Sequence, residues 1–93
     1  MEKSRAHIFV SGIVQGVFFR ASAVSEANRI GGLAGWARNV KDGRVEIVCE
    51  GDRAKVEKLI DWLFKGPEYS QVEDVEVAWG KATGEFIHFE IRP

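Results

Sequence analysis

Apolar side chains recur at every second position in several short segments of this chain, which is the spacing of β-strands. Four segments follow this spacing or are apolar on both faces, and turn residues bound them. The predicted strands are His7–Gly12, Gly35–Val40, Arg44–Glu50 and Val72–Trp79. Residues 86–92 alternate in the same way and predict a short further β segment near the end of the chain.

Two other segments place apolar residues three and four positions apart, which indicates amphipathic helices. The first is Ala21–Ile30, and the glycines that follow it end the helix because glycine accepts a left-handed turn. The second is Arg53–Lys65, with Asp52 as a candidate N-cap and Gly66-Pro67 as the stop signal. The apolar stripe of this second helix consists of Val56, Leu59, Ile60 and Leu63.

The elements therefore follow the order β-α-β-β-α-β, with the short β segment added at the end. An Asp42-Gly43 pair between the second and third strands is a strong hairpin-turn signal. This split β-α-β order predicts a ferredoxin-like α+β fold, an antiparallel sheet with two helices on one face. No repeat or linker interrupts the pattern, so residues 1–93 are predicted to form one domain.

Composition and charge narrow the classes of partner. Thirteen basic and 14 acidic residues give a net charge of −1, without the basic excess typical of nucleic-acid-binding proteins, so we expect no nucleic-acid partner. No apolar run approaches the roughly 20 residues of a membrane span, and the polar start lacks a signal-peptide core. Cys49 is the only cysteine, so no intrachain disulfide can form, which suits a reducing compartment. We expect a cytoplasmic protein without a membrane partner, and a monomer as the starting hypothesis.

The first candidate site is the loop Gln15–Arg20, which leads into the first predicted helix. Gly16 lets the backbone approach a ligand closely, and a helix N-terminus offers unpaired N–H donors with partial positive charge. Arg20 adds a planar fork that can bind two phosphate oxygens. From spacing alone, an ordinary loop glycine beside a surface arginine explains the same residues, and it is the interpretation that spacing favours.

The second candidate is Asn39, a side-chain amide within a predicted strand, where asparagine is disfavoured. Its amide can donate and accept hydrogen bonds and could therefore hold a water molecule. From the residues alone, a strand-end asparagine is again the favoured interpretation. We expect Trp36 to lie in the core and Arg38 to be a solvated neighbour.

The remaining reactive residue types form no site in the sequence. His7 and His88 are far apart and flank no pair of carboxylates, so we expect both to be structural. Cys49 lies on an apolar strand face, as expected of a small core residue. There is no Cys/His cluster, so we expect no metal site and no cofactor.

Two segments of the chain resemble the signatures of the acylphosphatase family. Val10–Arg20 is similar to the first signature, and Gly35–Asn39, continued by the turn at Asp42-Gly43, is similar to the second. Lys65-Gly66-Pro67 resembles a third, non-catalytic stretch. The likeness runs in order from about residue 7 to the end, and two long signatures at a compatible separation are more specific than either alone.

This resemblance implies an enzyme that hydrolyses the carboxyl–phosphate bond of small-molecule acyl phosphates. It implies that Arg20 binds the phosphate and that Asn39 positions the attacking water. The phosphate oxygens would be held by the backbone N–H groups of Gln15, Gly16, Val17, Phe18, Phe19 and Arg20. It also implies the same ferredoxin-like fold as the hydrophobic pattern.

The sequence departs from the family pattern at two places. Phe18 stands where many members have glycine, and we expect its ring to shape the mouth of the pocket. The joint Ile30–Leu33 is one residue longer than the usual one. We expect the loop to absorb the extra residue, because a shift of strand register would turn Asn39 to the wrong side of the sheet.

Acyl phosphate hydrolysis is chemically consistent with these residues. The leaving carboxylate has a conjugate acid with a pKa of about 4 to 5, so no general acid is needed. Positioning of water and neutralisation of phosphoryl charge are then the main tasks. Two alternatives remain at this point: a module that binds single-stranded RNA on exposed strand aromatics, and a phosphate-binding regulator that has lost turnover.

Overall fold

The structure is a computed structural model, and it describes residues 3–93. Five strands and two helices make up the fold. The strands are β1 (Lys3–Ile13), β2 (Ala34–Asn39), β3 (Val45–Asp52), β4 (Gln71–Lys81) and β5 (Phe89–Arg92). The helices are α1 (Phe19–Ile30) and α2 (Arg53–Lys65).

The five strands form one sheet in the order β4-β1-β3-β2-β5. The first four strands are antiparallel to their neighbours, as predicted. β5 instead pairs in parallel with β2, which makes the sheet mixed rather than purely antiparallel. The predicted ferredoxin-like α+β fold is thus confirmed, with one parallel edge strand added to it.

The main core lies between one face of the sheet and the two helices. Alternate residues of β1 and of the middle strand β3 enter it: Ala6, Ile8 and Val10 from β1, and Val45, Ile47 and Cys49 from β3. All four members of the predicted α2 stripe are buried, and α1 contributes Phe19, Ala23 and Ala27. The helical spacing in the sequence therefore identified the buried face of α2 correctly.

Several predicted boundaries differ from those in the structure. α1 begins two residues earlier than expected, at Phe19. β4 continues past its predicted end at Trp79 to Lys81, because it pairs with the polar start of β1, where Gly80 lies opposite Arg5. Asp52 precedes α2 as predicted, but its side chain makes no capping hydrogen bond. Asp52 is also the last residue of β3.

The opposite face of the sheet carries a second layer of buried residues that no helix covers. Trp36 is buried as predicted but lies outside the main apolar cluster, with the guanidinium groups of Arg38 and Arg92 over its ring. Glu46 and Glu50 are also buried, at 6% exposure each. This second layer therefore consists largely of charged and aromatic side chains.

Candidate functional site

A cleft of about 240 Å³ lies where the end of β1 leads into α1, next to the ends of β2 and β5. The residues that line it come from three separate segments of the chain: residues 14–21, the end of β2 and β5. They are Val14, Gly16, Phe18, Phe19, Arg20, Ala21, Asn39 and Ile91. The fold thus brings the two sequence candidates, Arg20 and Asn39, to the walls of the same cleft.

Just before the loop at the cleft, the pairing of β1 with β4 is irregular, because Glu73 of β4 has no partner in β1. The pairing of β1 with β4 shifts between Ser11 and Gly12, where Gly12 has a φ of 121°. A Cβ atom at Gly12 would lie 2.1 Å from the carbonyl oxygen of Gln71, so only glycine fits here. Pairing continues after this shift for two residues, Gly12 opposite Val72 and Ile13 opposite Gln71, and the chain then leaves the sheet for the loop.

The side chain of Gln15 ties this loop to the hairpin between β2 and β3. Its Nε2 donates hydrogen bonds to the carbonyl oxygens of Val40 at 2.7 Å and Arg44 at 2.9 Å. Sequence reasoning assigned Gln15 only a backbone role and missed this contact. A long amide side chain in a loop of otherwise apolar residues was the available signal, but its partners lie 25 and 29 residues away.

The N-terminus of α1 points its donors toward the cleft without a side-chain cap. Phe18 occupies the N-cap position, makes no side-chain capping bond, and the first turn contains no acidic residue. The backbone N–H groups of that turn therefore keep their partial positive charge for another acceptor. Phe19 is buried in the core and anchors the start of the helix.

Phe18 has an unusual backbone conformation for a large side chain. Its φ of 62° and ψ of 24° lie in the left-handed region, and it is the single non-glycine residue with positive φ among residues 3–93. This conformation costs a bulky residue free energy that glycine avoids. The ring itself is 81% exposed at the mouth of the cleft.

Arg20 lies in the first turn of α1 and is partly exposed. Its Nη1 donates a hydrogen bond to the carbonyl oxygen of Arg92 in β5, at 3.1 Å. A carbonyl orients the guanidinium without neutralising its charge. The remaining N–H groups of the fork are therefore still charged donors for an anion in the cleft.

Asn39 is the last residue of β2, opposite Val45 of β3, and it is half-buried. Because Val45 belongs to the core cluster, this register puts Asn39 on the helix side of the sheet, where Arg20 lies. The longer joint before β2 is accommodated by Gly31 and Gly32, which have φ values of 80° and 72°. The extra residue is thus absorbed before the strand begins.

The other sequence candidates lie elsewhere. Gln15 and Val17 belong to the loop but do not line the cleft, and Val17 packs against the core. His7 and Arg38 lie on the open face of the sheet, where His7 Nε2 is 2.5 Å and Arg38 Nε 2.7 Å from the Glu46 carboxylate. Neither the cleft nor any other place among residues 3–93 groups three metal-ligating side chains.

Comparison with known proteins identifies the family. A family model for acylphosphatase matches residues 6–91 of the chain. The chain belongs to the acylphosphatase family. An acylphosphatase from Anaeromyxobacter sp. (strain Fw109-5) is 56% identical over 91 residues, covering 98% of this chain and 97% of the relative. One from Roseiflexus sp. (strain RS-1) is 52% identical with the same coverage.

The fold agrees with solved members of this family. The crystal structure of acylphosphatase from Bacillus subtilis superposes with a TM-score of 0.92 at 34% identity, covering 97% of this chain and 99% of that one. An acylphosphatase from Coxiella burnetii gives a TM-score of 0.87 at 36% identity. The chain is thus an acylphosphatase-family hydrolase, and the activity of the family is hydrolysis of acyl phosphates. Within residues 3–93, no helix is both long and apolar enough to cross a bilayer.

Proposed function

We propose that the cleft at the start of α1 hydrolyses acyl phosphates, with Arg20 and the loop N–H groups binding the phosphate and Asn39 positioning the water. The observation that carries this assignment is the meeting of Arg20 and Asn39, 19 positions apart, in one cleft beside an uncapped helix N-terminus. Spacing alone did not favour a site at either residue. Their convergence supports a shared role.

The phosphate is bound by two kinds of positive charge. Within the loop Gln15–Arg20, the N–H groups of Gly16, Phe18, Phe19 and Arg20 belong to residues that line the cleft, and they supply the dipoles for the phosphate. The guanidinium of Arg20, oriented by the Arg92 carbonyl, supplies a full charge and a two-pronged donor. These donors are in place around the phosphoryl oxygens before the bond to the leaving carboxylate breaks, which is how preorganised sites lower a barrier.

Asn39 holds the water on the other side of the cleft. Its amide accepts one hydrogen bond from water and donates another to a phosphate oxygen, which fixes the direction of attack. The side chains lining the cleft include no histidine and no carboxylate. The attacking water therefore loses its proton late, to the phosphate itself, and the leaving carboxylate needs no acid.

The proposed partners are small acyl phosphates, with residues 1–93 acting as one monomeric domain in the cytoplasm and without nucleic acid. The open face of the sheet offers little aromatic surface for base stacking. Trp36 lies beneath two arginines, and the guanidinium of Arg44 lies 4.2 Å from the centre of the Phe9 ring. Covered rings support the small-molecule interpretation over the RNA-binding one.

Phosphate release from benzoyl phosphate, with a chelator present, tests the assignment. We expect activity in the wild type and a loss of roughly 100-fold or more in Arg20→Ala and in Asn39→Ala, because each removes a charge-stabilising or positioning group. Two matched controls lie in α1, the helix that carries Arg20. Arg29→Ala removes an exposed arginine paired with Glu26, and Asn28→Ala removes an exposed amide. Both controls should retain activity.

Two outcomes would contradict the proposal. A folded wild type that binds phosphate without turnover would favour the regulator. A steep dependence of kcat on one group near pH 6 to 7 would indicate a histidine base, which this mechanism excludes.

A further inference from the structure

The mouth of the cleft is apolar and exposed, which the phosphate chemistry does not explain. Phe18 is 81% and Ile91 44% exposed, and both line the cleft. They come from the loop before α1 and from β5, which are more than 70 residues apart in sequence. Single exposed apolar residues are ordinary, but two that meet at the rim of one cleft form a surface that can bind a ligand.

The backbone conformation of Phe18 is a second observation that supports a ligand-binding surface at the cleft mouth. A left-handed conformation is strained for phenylalanine, and no hydrogen bond or core contact of the ring compensates, because the ring projects into solvent. Strained backbone conformations concentrate at active sites and ligand clamps. The conformation fixes where the ring stands relative to the N–H groups of the same loop.

The charges around the cleft limit the kind of acyl group that fits. Arg20 is the one cation among the lining residues, and the phosphate uses it. The nearby cations Arg92 and Arg44 are stacked over Trp36 and Phe9 on the open face of the sheet. A second anionic group on the substrate would therefore meet apolar side chains instead of a partner.

We propose that Phe18 and Ile91 form an acyl-binding rim that selects acyl phosphates with an uncharged, apolar acyl group. This inference rests on the proposed function of the same cleft and specifies its substrate class. The phosphate enters the loop, and the acyl group remains at the mouth, where the Phe18 ring and the Ile91 side chain cover one side of it. Acyl phosphates with a small acyl group gain little from the rim, and those with a carboxylate on the acyl chain are disfavoured.

The test compares kcat/KM for benzoyl phosphate with kcat/KM for acetyl phosphate in each variant. Both substrates present the same phosphoryl group, so any damage to the phosphate site cancels in the ratio. We expect the ratio to fall about 3- to 10-fold in Phe18→Asn and in Ile91→Ser, the range of a lost aromatic contact. Asparagine tolerates the left-handed backbone, so Phe18→Asn removes the ring without adding strain.

Two controls separate the rim from general effects. Phe18→Leu keeps an apolar side chain and should preserve most of the ratio. Ile87→Ser changes an isoleucine that is 85% exposed near β5 but does not line the cleft, and the ratio should not change. A ratio that stays constant in Phe18→Asn and Ile91→Ser, whatever happens to the absolute rates, would overturn the proposed rim.

A binding measurement keeps this result independent of turnover. Calorimetry should show tighter binding of phenylphosphonate than of methylphosphonate by the wild type, and the difference should shrink in the same two variants. Absence of hydrolysis with this preference intact would reject the catalytic assignment and keep the rim. Equal affinities for the two phosphonates would reject the rim even in an active enzyme.

Discussion

The two faces of β3 are buried to the same degree by opposite means. Toward the helices, Val45, Ile47 and Cys49 are completely enclosed by apolar side chains. On the open face, Glu46 and Glu50 are buried nearly as well, although no helix covers them. One face is held by apolar area removed from water, and the other, around the buried Val48, largely by charges that are stable only while their partners stay in place.

The open face satisfies each carboxylate with several donors. Glu50 accepts hydrogen bonds from Arg5, from the backbone N–H groups of Thr83 and Gly84, and from the Thr83 hydroxyl. It thereby fixes the connection between β4 and β5. Similar burial therefore does not imply a similar response to mutation, because the apolar face should respond to lost volume and the charged face to lost partners and to pH.

The largest effect is expected on the apolar face. Ile47→Ala should lower the free energy of unfolding by about 2–5 kcal/mol, and Ile47→Val by about 0.5–1.5 kcal/mol, because each leaves a cavity in a closely packed core. Urea denaturation at pH 7 and pH 4 measures both. The cost should be nearly the same at the two pH values, and a strongly pH-dependent cost would break the distinction between the faces.

An intermediate effect is expected at Glu50. Glu50→Ala should cost about 1–3 kcal/mol, since it leaves the Thr83 and Gly84 donors without their acceptor. Glu50→Gln keeps one acceptor oxygen and should cost less. The measurements are urea denaturation together with amide hydrogen exchange at residues 82–85. Unchanged exchange rates at Thr83 and Gly84 in Glu50→Ala would show that the carboxylate does not hold this connection.

The smallest effect is a pH dependence at Glu46. Burial by itself raises the pKa of this carboxyl, but hydrogen bonds from His7 and Arg38 outweigh burial and bring its pKa below the usual value of 4.5. The unfolded chain therefore takes up this proton first, so the stabilisation is complete above about pH 4.5 and is lost as the pH falls through the folded pKa. Comparison of the wild type with Glu46→Gln across pH 3–7 should give a stability difference that shrinks at the acid end. A stability difference that stays constant with pH would mean that the contacts of Glu46 with His7 and Arg38 do not couple folding to protonation of this carboxyl.

Prediction from the sequence succeeded where the deciding contacts are local. Arg53–Lys65 forms a helix with the predicted ends, because its apolar stripe and its glycine stop lie within one segment. The convergence of Arg20 and Asn39 was expected only from the family resemblance, since a lone arginine and a lone asparagine have simpler explanations. The spacing of the residues alone could not distinguish a catalytic role from an ordinary surface or strand-end role for either residue.

The missed features all depend on which distant segments become neighbours. The buried states of Glu46 and Glu50 require partners 39 and 45 residues away, and the orientation of Arg20 depends on a carbonyl 72 residues away. The parallel pairing of β5 with β2 is similar, because four residues of alternating pattern do not specify a neighbour. Strand order had to be known before any of these contacts could be inferred.

The single thiol of the chain, Cys49, lies in the middle strand of the sheet and can serve as a native labelling site for unfolding. Burial, assisted by the charge of Glu50, raises the pKa of Cys49 to about 12, and the side chain has no exposed surface. A reagent that attacks thiolates can therefore modify the protein only during an opening of the middle strand of the sheet. With one cysteine in the chain, each labelled molecule records one such event. Under native conditions, labelling slower than reclosing thus reports the population of the opened sheet, and labelling faster than reclosing reports its opening rate, without an added fluorophore or an engineered site.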